Sequence, residues 1–218
     1  AATSGTVVRR TNCPRNERLP PSSFTDAMTP RARKNARRRA RKLAALGVEA
    51  RWTPPGPGFA DALRDLRSLH EARWRRDGQR GLFADERQRF LLDYARAARS
   101  EQGPWLLTLS VGHQPIASLL GIVFGDTFSV YKTGWSPDFG HLALGLSLGD
   151  EAMRWCEERG TRVFDYLRGG GSHKAELGCR DRFDVTVIRA RGLRGSLLTL
   201  RETQRTDLPV TAVDEEKT

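Results

Sequence analysis

The chain has 218 residues, 38% of them hydrophobic, and carries 37 Lys and Arg against 26 Asp and Glu, a formal charge of +11. That length suits one domain with a real buried core, and no apolar run approaches the roughly 20 residues a membrane span needs. The three cysteines, Cys13, Cys156 and Cys179, form no C-x-x-C pair, and the four histidines, His70, His113, His141 and His173, have no ligand-like spacing. This argues against a disulfide framework or a zinc site, so no metal is expected.

Residues 1–24 read as an extended lead-in, with Val7 and Val8 and then Pro14, Pro20 and Pro21 among polar residues. The first residues, Ala1-Ala2-Thr3-Ser4-Gly5, lack the charged-then-apolar profile of a signal peptide, so a cytoplasmic location is expected. They also lack an initiator Met, and a fragment of a longer chain is one of the readings left open. Thr29 and Pro30 then make a helix start, hydroxyl cap before first-position proline, and Gly47 makes a stop. Between them Ala32, Ala36, Ala40, Leu43 and Ala44 form a narrow apolar stripe, while Arg31, Arg33, Lys34, Arg37, Arg38, Arg39, Arg41 and Lys42 cover the other faces. The cationic surface is either a solvated face or a landing surface for a polyanion.

Residues 53–58 read as a loop of prolines and glycines. A helix follows over 59–76, with Leu63, Leu66, His70 and Trp74 on one face; His70 reads as a packed core-edge residue. After a loop at 78–83, a second helix over 85–100 turns Phe90, Leu91, Tyr94 and Ala98 inward. Three strands in a meander come next: one ending Leu109-Ser110-Val111, one over 115–124 and one over 127–135. Gly112-His113-Gln114 and Gly125-Asp126 form the joints. A helix over 145–159, stopped by Gly160, leads into a buried strand over 163–167, interrupted by Asp165. Arg168 and three glycines, Gly169–Gly171, follow, then Lys174 and Gly178. Glycine lets a backbone approach a ligand, and charged groups at a strand's carboxyl end are where open α/β sheets place ligands. The competing reading is an Asp165–Arg168 ion pair closing a turn. Residues 183–188 alternate like a final strand. A helix over 196–205 and a polar, disordered tail from Leu208 complete the expectation.

Meander, glycine-bearing helix start, helix and strand follow one another in the order of the acyl-CoA-binding core of the GNAT N-acyltransferases, which the chain resembles. Leu69-His70-Glu71-Ala72-Arg73-Trp74, Gly134-Trp135-Ser136-Pro137 and Phe164-Asp165-Tyr166-Leu167-Arg168-Gly169, with Lys174 and Gly178, look like the CelD/BioF2-like branch, which is related to the FemAB peptidyltransferases. Leu19-Pro20 and the basic run from Thr29 to Arg38 are similar to that branch as well, so the likeness spans Leu19 to Gly178. The chain departs from its pattern at His173, where Tyr is usual, at Leu177, where Trp is usual, and at Leu144, where Pro is frequent.

The resemblance implies an α/β fold with a mixed sheet: a mostly antiparallel meander, then a helix and a parallel strand. The GNAT-like domain is expected over 25–190, with a partly disordered tail over 191–218. It implies acyl transfer from acyl-CoA or acetyl-CoA to a small amine such as an amino sugar or amino acid. Backbone amides at a helix start would hold the donor's pyrophosphate, here His141, Ala143, Leu144, Gly145, Leu146 and Ser147. The backbone near Gly134 and Trp135 would polarise the thioester carbonyl. Asp165 and His173 are the candidate bases, with Asp165 equally able to orient Arg168. Lys174 would act electrostatically. Tyr131 would protonate the leaving thiolate or serve as a core tyrosine. Two rivals stand beside this reading: an aminoacyl-tRNA donor, and a non-enzymatic nucleic-acid-binding protein using the basic helix. A partner half or a homodimer is expected to cover an apolar patch beside the meander.

Overall fold

The computed structural model describes residues 6–19, 21–76, 85–99, 101–168 and 172–189. Its elements are β1 (Thr6–Asn12), β2 (Arg15–Glu17), α1 (Pro30–Ala45), β3 (Val48–Thr53), α2 (Phe59–Arg76), α3 (Asp85–Ala97), β4 (Gly103–Val111), β5 (Gln114–Phe124), β6 (Thr127–Trp135), α4 (Leu144–Glu158), β7 (Val163–Asp165), α5 (Ser172–Glu176) and β8 (Phe183–Arg189). Short 3-10 turns at Phe24–Ala27 and Pro137–Leu142 precede α1 and α4.

A six-stranded sheet in the order β2-β7-β6-β5-β4-β3 carries the fold, while β1 and β8 form a separate antiparallel ribbon. All neighbours in the large sheet run antiparallel except β6 and β7. Helices cover both of its faces. Leu107, Leu109, Leu119, Phe128 and Phe164 pack with Leu148, Ala152, Met153 and Cys156 of α4 on one side. Leu106 and Leu120 pack with Phe59, Leu63 and Leu66 of α2 and Leu91 of α3 on the other. Burial on both faces explains why β4 and β5 read as continuous apolar runs rather than alternating ones.

The start of α1 follows its sequence: Thr29 Oγ1 accepts from the Ala32 amide at 3.2 Å, and Pro30 opens the helix. Ala32 is buried, and Arg39 reaches across to α4, where its Nε and Nη2 donate to Asp150 at 2.7 and 3.0 Å. Of the cations on α1, Arg39 alone has a carboxylate partner among the described residues.

Several elements differ from the sequence reading. Residues 48–53 form an edge strand, β3, that the pattern hides because Glu49 and Arg51 stand exposed in it; edge strands are often charged in this way. The first meander strand starts at Gly103, and α3 ends at Ala97. The strand expected over 163–167 stops at Asp165, because Leu167 turns into the left-handed region with φ 53°. The lead-in contributes β1 to the ribbon and β2 to the large sheet. The final strand pairs only with β1, which leaves Phe183, Val185 and Val187 exposed at 55%, 55% and 62%. The expectations for 78–83, the glycine run Gly169–Gly171, the helix over 196–205 and the tail over 191–218 lie outside the described residues.

Candidate active site

β6 and β7 pair only at Thr127–Val163, Phe128–Phe164 and Ser129–Asp165. Beyond Ser129 the two strands separate, and a cleft of about 650 Å³ occupies the opening. Arg73, Val130–Thr133, Trp135, Ala143–Leu146, Gly149, Asp150, Tyr166 and Lys174 line it. Since α2 and α4 pack on opposite faces of the sheet and both contribute to this lining, the cleft runs through the sheet from one face to the other.

Two irregularities of β6 shape the opening. Leu120 pairs with Lys132 and Gly121 with Val130, so Tyr131 is an extra residue, a bulge. A bulge bends its strand and re-aims side chains. The aromatic ring of Phe128 fills the space beside Gly121 where a side chain would stand. Further on, the Ser136 amide donates to Ile116 O at 2.8 Å. Antiparallel alternation then turns the backbone groups of Thr133 and Trp135 away from β5, toward the opening. Thr133 O accepts from His70 Nδ1 at 3.0 Å. His70 is buried, and that burial holds its pKa below the usual range. Gly134 instead lets α2 approach: a Cβ there would stand 2.5 Å from His70 N.

On the other face α4 begins at Ala143, in the left-handed region at φ 50°, with no side chain capping the first turn. The Leu146 amide donates to Ala143 O at 3.0 Å, which leaves the Leu144 and Gly145 amides and the positive end of the helix dipole to suit an anion. Gly145 faces the Trp135 ring, where a Cβ would come within 3.1 Å. The Tyr166 hydroxyl is buried without a hydrogen-bond partner and stands 3.8 Å from where a Gly149 Cβ would be. Burial raises the phenol's pKa well above its ordinary value, so it stays protonated. Lys174 Nζ lies 5.3 Å from the Tyr166 ring centre, and burial lowers the ammonium's pKa.

Of the residues singled out from sequence, Tyr131, Trp135, Ala143, Leu144, Gly145, Leu146 and Lys174 meet in the cleft. Others stand elsewhere. Asp165 Oδ1 accepts from the Leu167 amide at 2.7 Å, which holds the turn after Tyr166; the carboxylate is not on the cleft wall. Arg168 is exposed, and no ion pair joins it to Asp165 among the described residues. His141 is exposed, and Ser147 is buried with its hydroxyl on Leu142 O and Ala143 O at 3.3 Å. Gly134 belongs to the α2 contact. His173 lies within α5.

Sequence reading missed Arg73, Lys132, Gly149, Asp150 and Tyr166 as cleft residues. Only Tyr166 left a signal, an aromatic with a hydroxyl directly after a buried strand's acid. Among the described residues no group of His, Cys, Asp and Glu side chains could hold a metal ion, and no helix is long and apolar enough to cross a membrane.

A six-stranded mixed sheet splayed between a bulged strand and its parallel neighbour, with a helix starting at the splay, defines an acyltransferase-type fold. The family model described as Acetyltransferase (GNAT) domain matches residues 30–175, and the chain belongs to that family. No curated protein matches it by sequence. Its fold is similar to that of FemX, with TM-score 0.64 and 11% identity over 88% of this chain and 64% of that one. It is similar as well to the C-terminal domain (DUF2156) of a protein assigned as a lysylphosphatidylglycerol synthetase from Agrobacterium fabrum, with TM-score 0.62 and 12% identity over 91% of this chain and 66% of that one. L-PGS from Bacillus licheniformis matches with TM-score 0.58 and 13% identity, over 91% and 66%. The chain thus spans just under two thirds of the length of these solved structures.

Proposed function

We propose that the protein is an N-acyltransferase that moves an acyl group from acyl-CoA, acetyl-CoA in the simplest case, to the amine of a small molecule such as an amino sugar or amino acid in the cytoplasm. The observation that carries this reading is the junction of three features in one cleft: the uncapped start of α4, the free edge of β6 and the partnerless Tyr166 hydroxyl. The amides of the first α4 turn would hold the donor's pyrophosphate, and Gly145, flat against Trp135, would let the chain come close to it. A Trp135 backbone amide turned to the opening would take the thioester oxygen as negative charge develops there. The acceptor nitrogen attacks the carbonyl carbon, a C–N bond forms, and the C–S bond breaks. Tyr166 donates its proton to the departing sulfur, and the proton lost by the amide nitrogen restores the phenol through the cleft. Lys174, over the Tyr166 ring, would stabilise the oxyanion. Asp165 acts as a positioning residue for Tyr166 through the Leu167 turn. In this proposal Tyr166 takes the role first given to Tyr131, which packs partly in the α2 core. The CelD/BioF2-like placement within the family belongs to the same proposal.

A second reading keeps the cleft and exchanges the donor for aminoacyl-tRNA. It is favoured by the cations of α1, where Arg33, Lys34, Arg37 and Arg41 line one hollow of the surface. The non-enzymatic binding reading leaves the cleft unexplained. A thermal-shift series with CoA, acetyl-CoA and tRNA separates the donors. The expected result is stabilisation by CoA and acetyl-CoA that Gly145→Phe abolishes with the fold intact. Stabilisation by tRNA alone, lost in the Arg33/Arg37/Arg41→Gln triple variant and steeply salt-dependent, would transfer the proposal to the second donor. Arg39 is left in place because it neutralises Asp150.

A further inference from the structure

The α2 side of the cleft differs chemically from the α4 side. Lys132 stands opposite Leu120 on β5, and Leu120 packs in the α2–α3 core, so the lysine points to that face of the sheet. It lines the cleft half-buried, with its ammonium 5.7 Å from the centre of the Tyr131 ring. Arg73 of α2 also lines the cleft, but its guanidinium stacks at 3.7 Å over Trp135, the ring that Gly145 of α4 faces. Burial and the nearby Arg87 of α3 both push the Lys132 ammonium below its ordinary pKa, and among the described residues no carboxylate acts in the opposite sense. The cleft's one lining carboxylate among the described residues is Asp150, on α4 and engaged by Arg39. Half-burying an ammonium near another cation, with no acid among the described residues to offset it, is costly. A bound anion removes that cost.

We propose that the part of the cleft facing α2 and α3 is an oxyanion subsite, centred on Lys132 with Arg87 of α3 nearby, which selects amine acceptors carrying a carboxylate or phosphate group. The inference rests on the proposed acyl transfer only in calling this ligand the acceptor. The donor's own phosphates are assigned to the opposite face, at the start of α4, so the subsite is separate from them. A planar carboxylate and a phosphate both suit a lysine ammonium approached by a guanidinium fork.

Calorimetric titration with matched amines tests the subsite: glucosamine 6-phosphate against glucosamine, and β-alanine against β-alaninamide. Each pair is titrated into the wild-type chain, Lys132→Gln and Lys132→Arg. In at least one pair the anionic member is expected to bind at least about tenfold tighter than its neutral twin. Lys132→Gln is expected to erase that preference, and Lys132→Arg to keep most of it. Which pair responds tells phosphate from carboxylate. The proposal is overturned if neither anionic member binds tighter than its twin in the wild type, or if the preference survives in Lys132→Gln. Should Lys132→Gln not fold, as a circular-dichroism melt would reveal, the wild-type pairs and Lys132→Arg still decide. CoA stabilisation measured on the same wild-type protein keeps the two ideas apart. Anion preference without CoA binding would sink the acyl-CoA donor and leave the subsite; CoA binding without anion preference would do the reverse.

Discussion

Where α4 meets the cleft, the wall is made of backbone and of uncharged side chains, Ala143, Leu144, Gly145, Leu146 and Gly149, together with Asp150, which Arg39 engages. Across the sheet, toward α2 and α3, the wall is Tyr131 and Lys132. The first wall offers amides and a helix dipole, which bind phosphate whatever the local side chains are. The second offers a fixed cation, whose selectivity depends on its identity and on what neutralises it. In the proposed reading two tasks fall on separate faces, a common donor group held on one and the acceptor chosen on the other.

Damage to the seating of α2 should break this separation most severely. Gly134→Val would drive a side chain into the backbone of His70, which cannot swing aside as a side-chain tip would. Overpacking of this kind costs about 1–3 kcal/mol, and a melting curve should show a drop of several degrees. An unchanged melting temperature would mean that α2 is not held as closely as the structure has it.

Removing the charge beside Tyr166 sharpens the comparison. Lys174→Ala should lower kcat/KM by at least about tenfold, equivalent to about 1.4 kcal/mol, while CoA binding survives. Near-normal steady-state kinetics would reduce Lys174 to a lid over the tyrosine ring.

The smallest effect expected concerns His70, which joins α2 to Thr133 at the edge of the opening. Burial depresses its folded-state pKa below the unfolded value of about 6.5. The unfolded chain then binds the proton first, so His70 contributes stability above about pH 6.5 that is lost as pH falls through the folded pKa. Melting temperatures recorded from about pH 7 to about pH 5 should fall less steeply in His70→Gln than in the wild type. Parallel slopes in the two proteins would remove His70 from the acid response.

Much of the α4 side of the cleft was legible in the residues themselves. The β5–β6 meander, the helix from 144 and the glycine at 145 are local signals: turn residues at fixed offsets, a 3.6-residue apolar period and a glycine at a helix start. Trp135 and Lys174 were legible through their resemblance to a known order of motifs. The charged wall was not. Lys132 looks like any polar residue in a half-buried strand until pairing with Leu120 turns it toward α2, and Arg73 is one arginine among many in a basic helix. Asp165 misled for a related reason, since a carboxylate interrupting a buried strand suggests catalysis as readily as it suggests a cap on the amide two residues on. β3 was hidden because its charged residues sit at an edge that only the completed sheet defines.

By itself the sequence determined the β5–β6 meander, the helices α1, α2 and α4 and the cationic face of α1, because propensity, periodicity and charge act over a few neighbouring residues. Tertiary structure alone decided which strands part, which tyrosine stands buried without a partner, and which face of the sheet Lys132 reaches. Those outcomes depend on sheet register, and a one-residue change of register on β6, such as the bulge at Tyr131, reassigns every following side chain to the other face.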